Sequence, residues 1–174
     1  PPPGGSTGPS APLPASYTPS PSLSGLRGRI VQVALQELQR WGDGRGKESD
    51  PAFRPFVETY WRTGVGYLPN EPSWWSSVPW SAAFISYVMR QAGAGSAFRY
   101  SGGHSYYTVA AKNNRLANNS NPFKAYRLSE IAPQPGDLVC KGRAGSGATY
   151  DSIREGMSTH CDMVVAIQPG RLIT

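Results

Sequence analysis

The sequence has little of several residue types that define common protein classes. Its 174 residues include two Cys and two His. Two Cys exclude a disulfide-dense scaffold and a Cys-rich zinc module, since both need about four closely spaced ligands. No apolar run approaches the ~20 residues that span a bilayer, so we expect no membrane-spanning segment here.

The sequence also lacks the patterns that bind metals and nucleotides. It contains no His-x-x-x-His, His-Glu-x-x-His or paired-Cys pattern. Neither a P-loop nor a dinucleotide fingerprint occurs, despite 20 Gly. We therefore predict no metal site and no cofactor.

Charge is missing from the first 25 residues, which hold eight Pro, six Ser and four Gly. Such a segment cannot bury enough apolar surface to fold, and its Pro content favours an extended spacer. We predict a linker over residues 1–26 and a domain over 27–174, and we expect that a signal peptide is absent or already removed. Residues 171–174 look like the start of a strand, so we expect this to be part of a longer chain whose missing strands follow Thr174.

The net charge of +6 comes from one part of the chain. Between Arg90 and Arg143 there are eight basic and two acidic residues. This excess of basic residues favours an anionic partner, such as an acidic envelope polymer. The alternative is a solvated basic surface that binds no partner. The basic residues are not interleaved with aromatic ones, so we do not expect a nucleic-acid platform.

Helical periodicity comes first in the chain and strand periodicity last, which predicts an α+β fold with helices on a small antiparallel sheet. The Gly- and Ser-rich stretch between the two predicted strands, residues 142–159, is a long loop of the kind that is functional or mobile. Helices are predicted over 26–41, 55–62, from Ser81 to Gly93 and over 104–117, and strands over 137–141 and 160–167.

Ser81 is the first candidate for chemistry. It begins a predicted helix, where free N–H groups and the helix dipole stabilise a nucleophile's anion and an oxyanion. The alternative is simpler, because Ser is a common N-cap that stabilises a helix without any chemistry.

The two His residues are the other candidates. His160 opens a strand after the long loop, where it could act as a general base or be an ordinary half-exposed His. Asp162 shares its strand face, whereas Cys161 lies on the opposite face. His104, with Tyr107 three residues later, could line a pocket or have a structural role. Cys140 and Cys161 could form a disulfide if their strands are adjacent.

Three motifs together resemble the NlpC-like and CHAP hydrolases of the papain-like superfamily. Residues 79–86 (PWSAAFIS) resemble the nucleophile helix of those enzymes, and residues 135–139 (PGDLV) resemble their first sheet strand. His160 follows at the position of the catalytic His. The Ser in the helix motif and residues 98–107 (FRYSGGHSYY) look most like a bacterial branch catalogued as a domain of unknown function.

The resemblance implies a papain-like fold and a peptidoglycan amidase or endopeptidase that works through an acyl-enzyme. It places Ser81 at the nucleophile position and His160 at the base position. Trp75, Trp80, His104, Tyr107 and Asp162 are the expected substrate-binding residues. The third catalytic residue of the superfamily would lie on the strand that begins near Leu172, and we expect it beyond Thr174.

Ser81 departs from the superfamily's Cys, and this leaves three interpretations. A Ser hydroxyl is hardly ionised at neutral pH and needs a base that is itself oriented. The chain could be a Ser hydrolase, an inactive relative or a protein with a Cys→Ser substitution.

Three functions follow from this sequence. The first is a peptidoglycan hydrolase of the bacterial periplasm, envelope or exterior. The second is a wall- or glycan-binding module that uses Trp74, Trp75 and Trp80 as a platform. The third is a secreted antibacterial effector with the same chemistry, which would add a delivery domain and an immunity protein as partners.

Overall fold

A computed structural model describes residues 23–174 and has an α+β architecture, which confirms the predicted fold class. Most of the predicted linker lies outside the described residues. The helices come first and the strands last, as their periodicity indicated. The papain-like arrangement within this class stays a prediction. The main helices are α1 (Gly25–Arg40), α2 (Arg54–Thr59), α3 (Trp74–Ser77), α4 (Ser81–Gln91) and α5 (His104–Leu116).

The helical half has two additions that the sequence pattern did not predict. α2 continues directly into a π-helix, Tyr60–Val65. The short α3 lies within a stretch that is otherwise irregular. Gly64 of the π-helix lies against α4 so closely that a Cβ there would be 2.6 Å from the Ala83 carbonyl oxygen. The missing side chain therefore allows these two helices to pack in direct backbone contact.

The strands form two separate antiparallel pairs among the described residues. β1 (Leu138–Gly142) pairs with β2 (Thr159–Met163), and β3 (Ala166–Gln168) pairs with β4 (Arg171–Ile173). The strand predicted over 160–167 is thus interrupted at Val164 and Val165. The apolar run of residues 160–167 therefore pairs with β1 before the interruption and with β4 after it. The Val165 N–H, within the interruption, already donates to the Ile173 carbonyl.

The hydrophobic core consists of two clusters. The larger one joins α1, α4 and α5 to β2, and it includes Ile30, Val88, Phe98 and Met163. The second is aromatic and joins the π-helix to α3 and the start of α4. α4 contributes to both clusters, so its N-terminus is held between the aromatic cluster and the larger cluster that contains β2.

Cys140 and Cys161 lie directly opposite each other in the β1–β2 register and form a disulfide. The Thr108 hydroxyl of α5 lies 3.6 Å from the Cys140 Sγ and 3.7 Å from the Cys161 Sγ. The disulfide therefore lies between the strand pair and α5, one residue away from His160.

Candidate functional site

Ser81 lies at the first position of α4 and does not cap it. The N-cap is Trp80, whose carbonyl accepts from the Phe84 N–H at 2.9 Å. The expectation that the Ser81 side chain is an N-cap is therefore wrong. Its hydroxyl instead lies 2.8 Å from the Nε2 of His104. A half-buried Ser that is hydrogen-bonded to an imidazole has the contact that nucleophile activation requires.

The loop between α4 and α5 fixes this contact. The buried Ser86 hydroxyl donates to the Ser101 carbonyl at 2.8 Å and accepts from the Ser101 N–H at 3.0 Å. Gly102 follows, and a Cβ there would lie 2.4 Å from the Trp61 ring. The loop is thus held on α4 little more than one turn after Ser81, and His104 begins α5 directly beside it.

His104 is oriented by its second ring nitrogen. Its Nδ1 lies 2.5 Å from the hydroxyl of Tyr107, one turn further along α5. Both rings are buried, at 7% and 3% exposure. The three side chains form a hydrogen-bonded series from Ser81 through His104 to Tyr107, and Tyr107 occupies the position of the orienting group in a catalytic triad.

Two protonation patterns fit this series, and they differ in chemistry. In the first, Nδ1–H donates to Tyr107 and Nε2 accepts from the Ser81 hydroxyl, so that His104 can act as a base. In the second, the Tyr107 hydroxyl donates to Nδ1 and Nε2–H donates to Ser81, so that the imidazole cannot take the Ser81 proton.

Burial keeps His104 neutral. Desolvation, followed by the nearby charges of His160 and Arg143, lowers the pKa of the His104 imidazole to about 4, while Asp162 opposes the shift. Desolvation also raises the pKa of the Tyr107 hydroxyl. The imidazole therefore keeps a free lone pair at neutral pH, although it is a weaker base than an ordinary His.

His160 lies next to this series without joining it. Its ring meets the His104 ring edge to face, with 4.9 Å between the ring centroids. Its Nε2 lies 3.0 Å from the Asp162 carboxylate, and its Nδ1 lies 3.3 Å from Nη2 of Arg143. Among the described residues, the hydrogen-bond partner of Ser81 is thus His104, whereas the predicted base His160 is bonded to Asp162 and Arg143.

The remaining predicted site residues are dispersed. Trp80 stacks on Trp41 at 5.0 Å in the aromatic cluster, and Trp75 lies near the Arg54 guanidinium. Trp74 is 7% exposed, so its ring faces have no surface to offer a glycan. The structure therefore brings together Ser81, His104, Tyr107, His160 and Asp162, and leaves the tryptophans in or beside the core.

The first turn of α4 supplies backbone donors next to the Ser81 hydroxyl. The first N–H groups of a helix have no acceptor within it, and the earliest intrahelical bond of α4 is the one from Phe84 to Trp80. The N–H groups of residues 81–83 therefore point out of the helix end. Such groups can stabilise an anion that forms near Ser81.

A groove of about 1080 Å³ lies beside Tyr107, and its lining includes neither Ser81 nor His104. Tyr107, Thr108 and Thr159 are among its lining residues, and apolar side chains of α1 and of residues 122–133 form much of its wall. Its lining is basic, because it has one carboxylate, Asp137, and five Lys or Arg residues, of which two form ion pairs: Arg27, Lys112, Lys124, Arg127 and Lys141.

We find neither a metal site nor a membrane helix within residues 23–174. No group of three His, Cys, Asp or Glu residues in this range could hold a metal ion. None of the helices in this range has the length and apolar character needed to cross a bilayer.

A family model matches most of the chain. It is described as an uncharacterized protein conserved in bacteria (DUF2272), and the match covers residues 57–173. This range includes Ser81, His104 and both strand pairs. No curated protein and no solved structure matches the chain significantly.

Proposed function

The chain belongs to this bacterial family, DUF2272, and we propose that it is a serine-dependent amide hydrolase acting on peptidoglycan stem peptides. The observation that carries the proposal is the 2.8 Å contact between Ser81 Oγ and His104 Nε2 at the N-terminus of α4. The contact joins a nucleophile to a neutral base, and the nearby helix end supplies donors for an oxyanion.

The acylation step uses the protonation pattern in which His104 Nε2 is unprotonated. Ser81 Oγ attacks the carbonyl carbon of the amide while its proton passes to Nε2. Tyr107 accepts from Nδ1–H and holds the ring. The tetrahedral oxyanion lies against the N–H groups of the first turn of α4. The C–N bond then breaks, and the amine leaves with the proton from Nε2.

Deacylation returns the enzyme to its starting state. A water molecule attacks the Ser81 ester and gives a proton to His104 Nε2. The C–O bond to Ser81 breaks, Ser81 regains the proton and the carboxylic acid leaves. Because the pKa of His104 is about 4, the imidazole is neutral at neutral pH and its Nε2 is free to take a proton while Nδ1 keeps its own. Its low basicity must be offset by the stabilisation of the oxyanion.

Three observations support the envelope polymer as the substrate. The family is bacterial. The lining of the groove beside Tyr107 is basic, as suits an anionic polymer. The motifs around Ser81 and residues 135–139 resemble those of cell-wall hydrolases. We accordingly propose the periplasm, the envelope or the cell exterior as the place of action.

Digestion of purified peptidoglycan tests this function. The wild-type chain should release soluble fragments with new amino and carboxyl termini, and Ser81→Ala should release none. Ser76→Ala is the matched control, since Ser76 is exposed on α3 and its hydroxyl donates at 3.3 Å to the Ser73 carbonyl. Failure of wild type and control to release fragments, or equal release by Ser81→Ala, would contradict the proposal.

A further inference from the structure

Arg143 lies at the rim of the site and is held there by weak contacts. Its Nε donates to the Thr159 carbonyl at 3.4 Å, and its Nη2 lies 3.3 Å from His160 Nδ1. The residue is exposed. Both contacts use the same edge of the guanidinium, so the edge formed by Nη1 and the second Nη2 hydrogen faces away from the strands.

Arg143 forms no ion pair within residues 23–174, in contrast to three arginines between α4 and β1. Arg99 pairs with Glu155, Arg115 pairs with Glu130, and Arg127 pairs with Asp151. Among the described residues, no carboxylate forms an ion pair with Arg143. Its guanidinium therefore has an unused capacity for a bidentate carboxylate.

The surroundings of Arg143 favour an anion. Lys141 is the register partner of His160 on the neighbouring strand, so that a second cationic residue lies on the same face of the strand pair. The nearby carboxylate, Asp162, is already bonded to His160 Nε2. Arg143 is also close enough to His104 for its charge to lower the pKa of that imidazole. A carboxylate bound at Arg143 would thus lie beside the reacting groups.

We infer that Arg143 is a specificity residue that binds a carboxylate of the substrate next to the bond that is cut. The inference rests on the proposed function, in which the substrate is an acidic stem peptide. The guanidinium pairs with the carboxylate through its outward edge. Its inward edge is held by His160 Nδ1, and Asp162 in turn holds the imidazole through Nε2. The site would then discriminate peptides with a free carboxylate from the same peptides with a carboxamide.

Binding measured without turnover tests this subsite. The protein is the full chain with Ser81→Ala, and the probes are a soluble muropeptide with free carboxylates and the same muropeptide after amidation of those carboxylates. Calorimetry should show that amidation weakens binding about 10- to 100-fold. Adding Arg143→Gln should remove this difference, Arg143→Lys should restore part of it, and the exposed control Arg171→Gln should leave it unchanged.

The outcomes separate this inference from the proposed hydrolysis. Equal affinity for both probes, or a carboxylate preference that survives Arg143→Gln, would overturn the subsite even if the chain digests peptidoglycan. A carboxylate preference that is lost with Arg143→Gln would support the subsite even if wild type releases no fragments. For an active chain, Arg143→Gln should raise KM for the free acid about 10- to 100-fold and leave kcat within about threefold.

Discussion

The polar network around Glu37 lies within the helical half, whereas the network around Ser81 lies beside the strands at a helix N-terminus. Glu37 is 4% exposed and accepts from the Tyr60 hydroxyl at 2.5 Å and from Arg40 at 2.6 Å. Tyr60 in turn accepts from the Trp41 indole at 2.7 Å. Every partner in this network lies within the helical half, and burial beside Glu37 raises the pKa of the Tyr60 hydroxyl.

The network around Ser81 shares one feature with the Glu37 network. It too contains a buried Tyr bonded to an ionisable group. The His104 ring also contacts the ring of His160, which is bonded to Asp162. The side chains of His160 and Asp162 are 26% and 43% exposed. The difference teaches that a buried polar network is not in itself a functional site. A network that ends at the surface beside a helix N-terminus can meet a substrate.

The largest expected effect separates the two histidines. His104→Gln should lower kcat/KM about 1000-fold, because it removes the base that contacts Ser81. His160→Gln should lower it about 10-fold or less, since His160 bonds to Asp162 and Arg143. Peptide-release kinetics on both variants would check this. A larger loss for His160→Gln would assign the base to His160, as the sequence resemblance implies.

The Glu37 network should matter for stability rather than activity. Glu37→Ala removes the shared acceptor of Tyr60 and Arg40, and it should lower the free energy of unfolding by about 3 kcal/mol. Activity per folded molecule should change by less than about threefold. Glu58→Ala is the control, since Glu58 forms an exposed ion pair with Arg62 that contributes about 0–1 kcal/mol. Denaturant unfolding measures both. Equal losses in the two variants would contradict the contrast.

The Ser81 network should give the free energy of unfolding a dependence on pH. The pKa of His104 is about 4 in the folded chain and about 6.5 when unfolded, so the unfolded chain binds more protons between these values. The free energy of unfolding that depends on neutral His104 is complete above pH ~6.5. It is lost progressively toward pH ~4, by up to about 3 kcal/mol. Urea unfolding of wild type and His104→Gln across this range would show it. Parallel pH curves would contradict the lowered pKa.

Tyr107→Phe should have the smallest effect, and its direction is informative. The change keeps the ring in the core and removes the oxygen next to His104 Nδ1. If Nδ1–H donates to Tyr107 during catalysis, kcat should fall about 10-fold while KM stays nearly constant. Single-turnover kinetics would measure this. A faster variant would mean that Tyr107 donates to Nδ1 and keeps His104 from acting as a base.

Local patterns predicted most of the fold. α1, α4 and α5 follow the apolar periodicity of the sequence, and β1 and β2 lie at the two predicted strand runs. The break at Val164 and Val165 was not predictable in this way, since a uniform apolar run gives no sign of where its pairing partner changes. The opposed register of Cys140 and Cys161 also depends on pairing, which a single strand does not encode.

The site was only partly predictable for a related reason. Ser81, His104, Tyr107, His160 and Asp162 were all candidates from residue type and position. Which His meets Ser81 depends on the Ser86–Ser101 hydrogen bonds and on the close packing of Gly102 against Trp61. Both are contacts between distant residues. The sequence did give one usable signal, because His104 and Tyr107 are spaced to share a helix face. Arg143 carried no signal beyond its charge.

Covalent labelling of Ser81 is the most direct test of the central claim, that His104 activates Ser81. The full chain is incubated at pH 7 with a fluorophosphonate, which phosphonylates activated serines, and the product is analysed by intact mass and peptide mapping. We predict one adduct on Ser81, which is absent from Ser81→Ala, at least about 100-fold slower in His104→Gln and unchanged in Ser76→Ala. No adduct on the wild-type chain, or an adduct on Ser81 that forms equally fast without His104, would contradict the account.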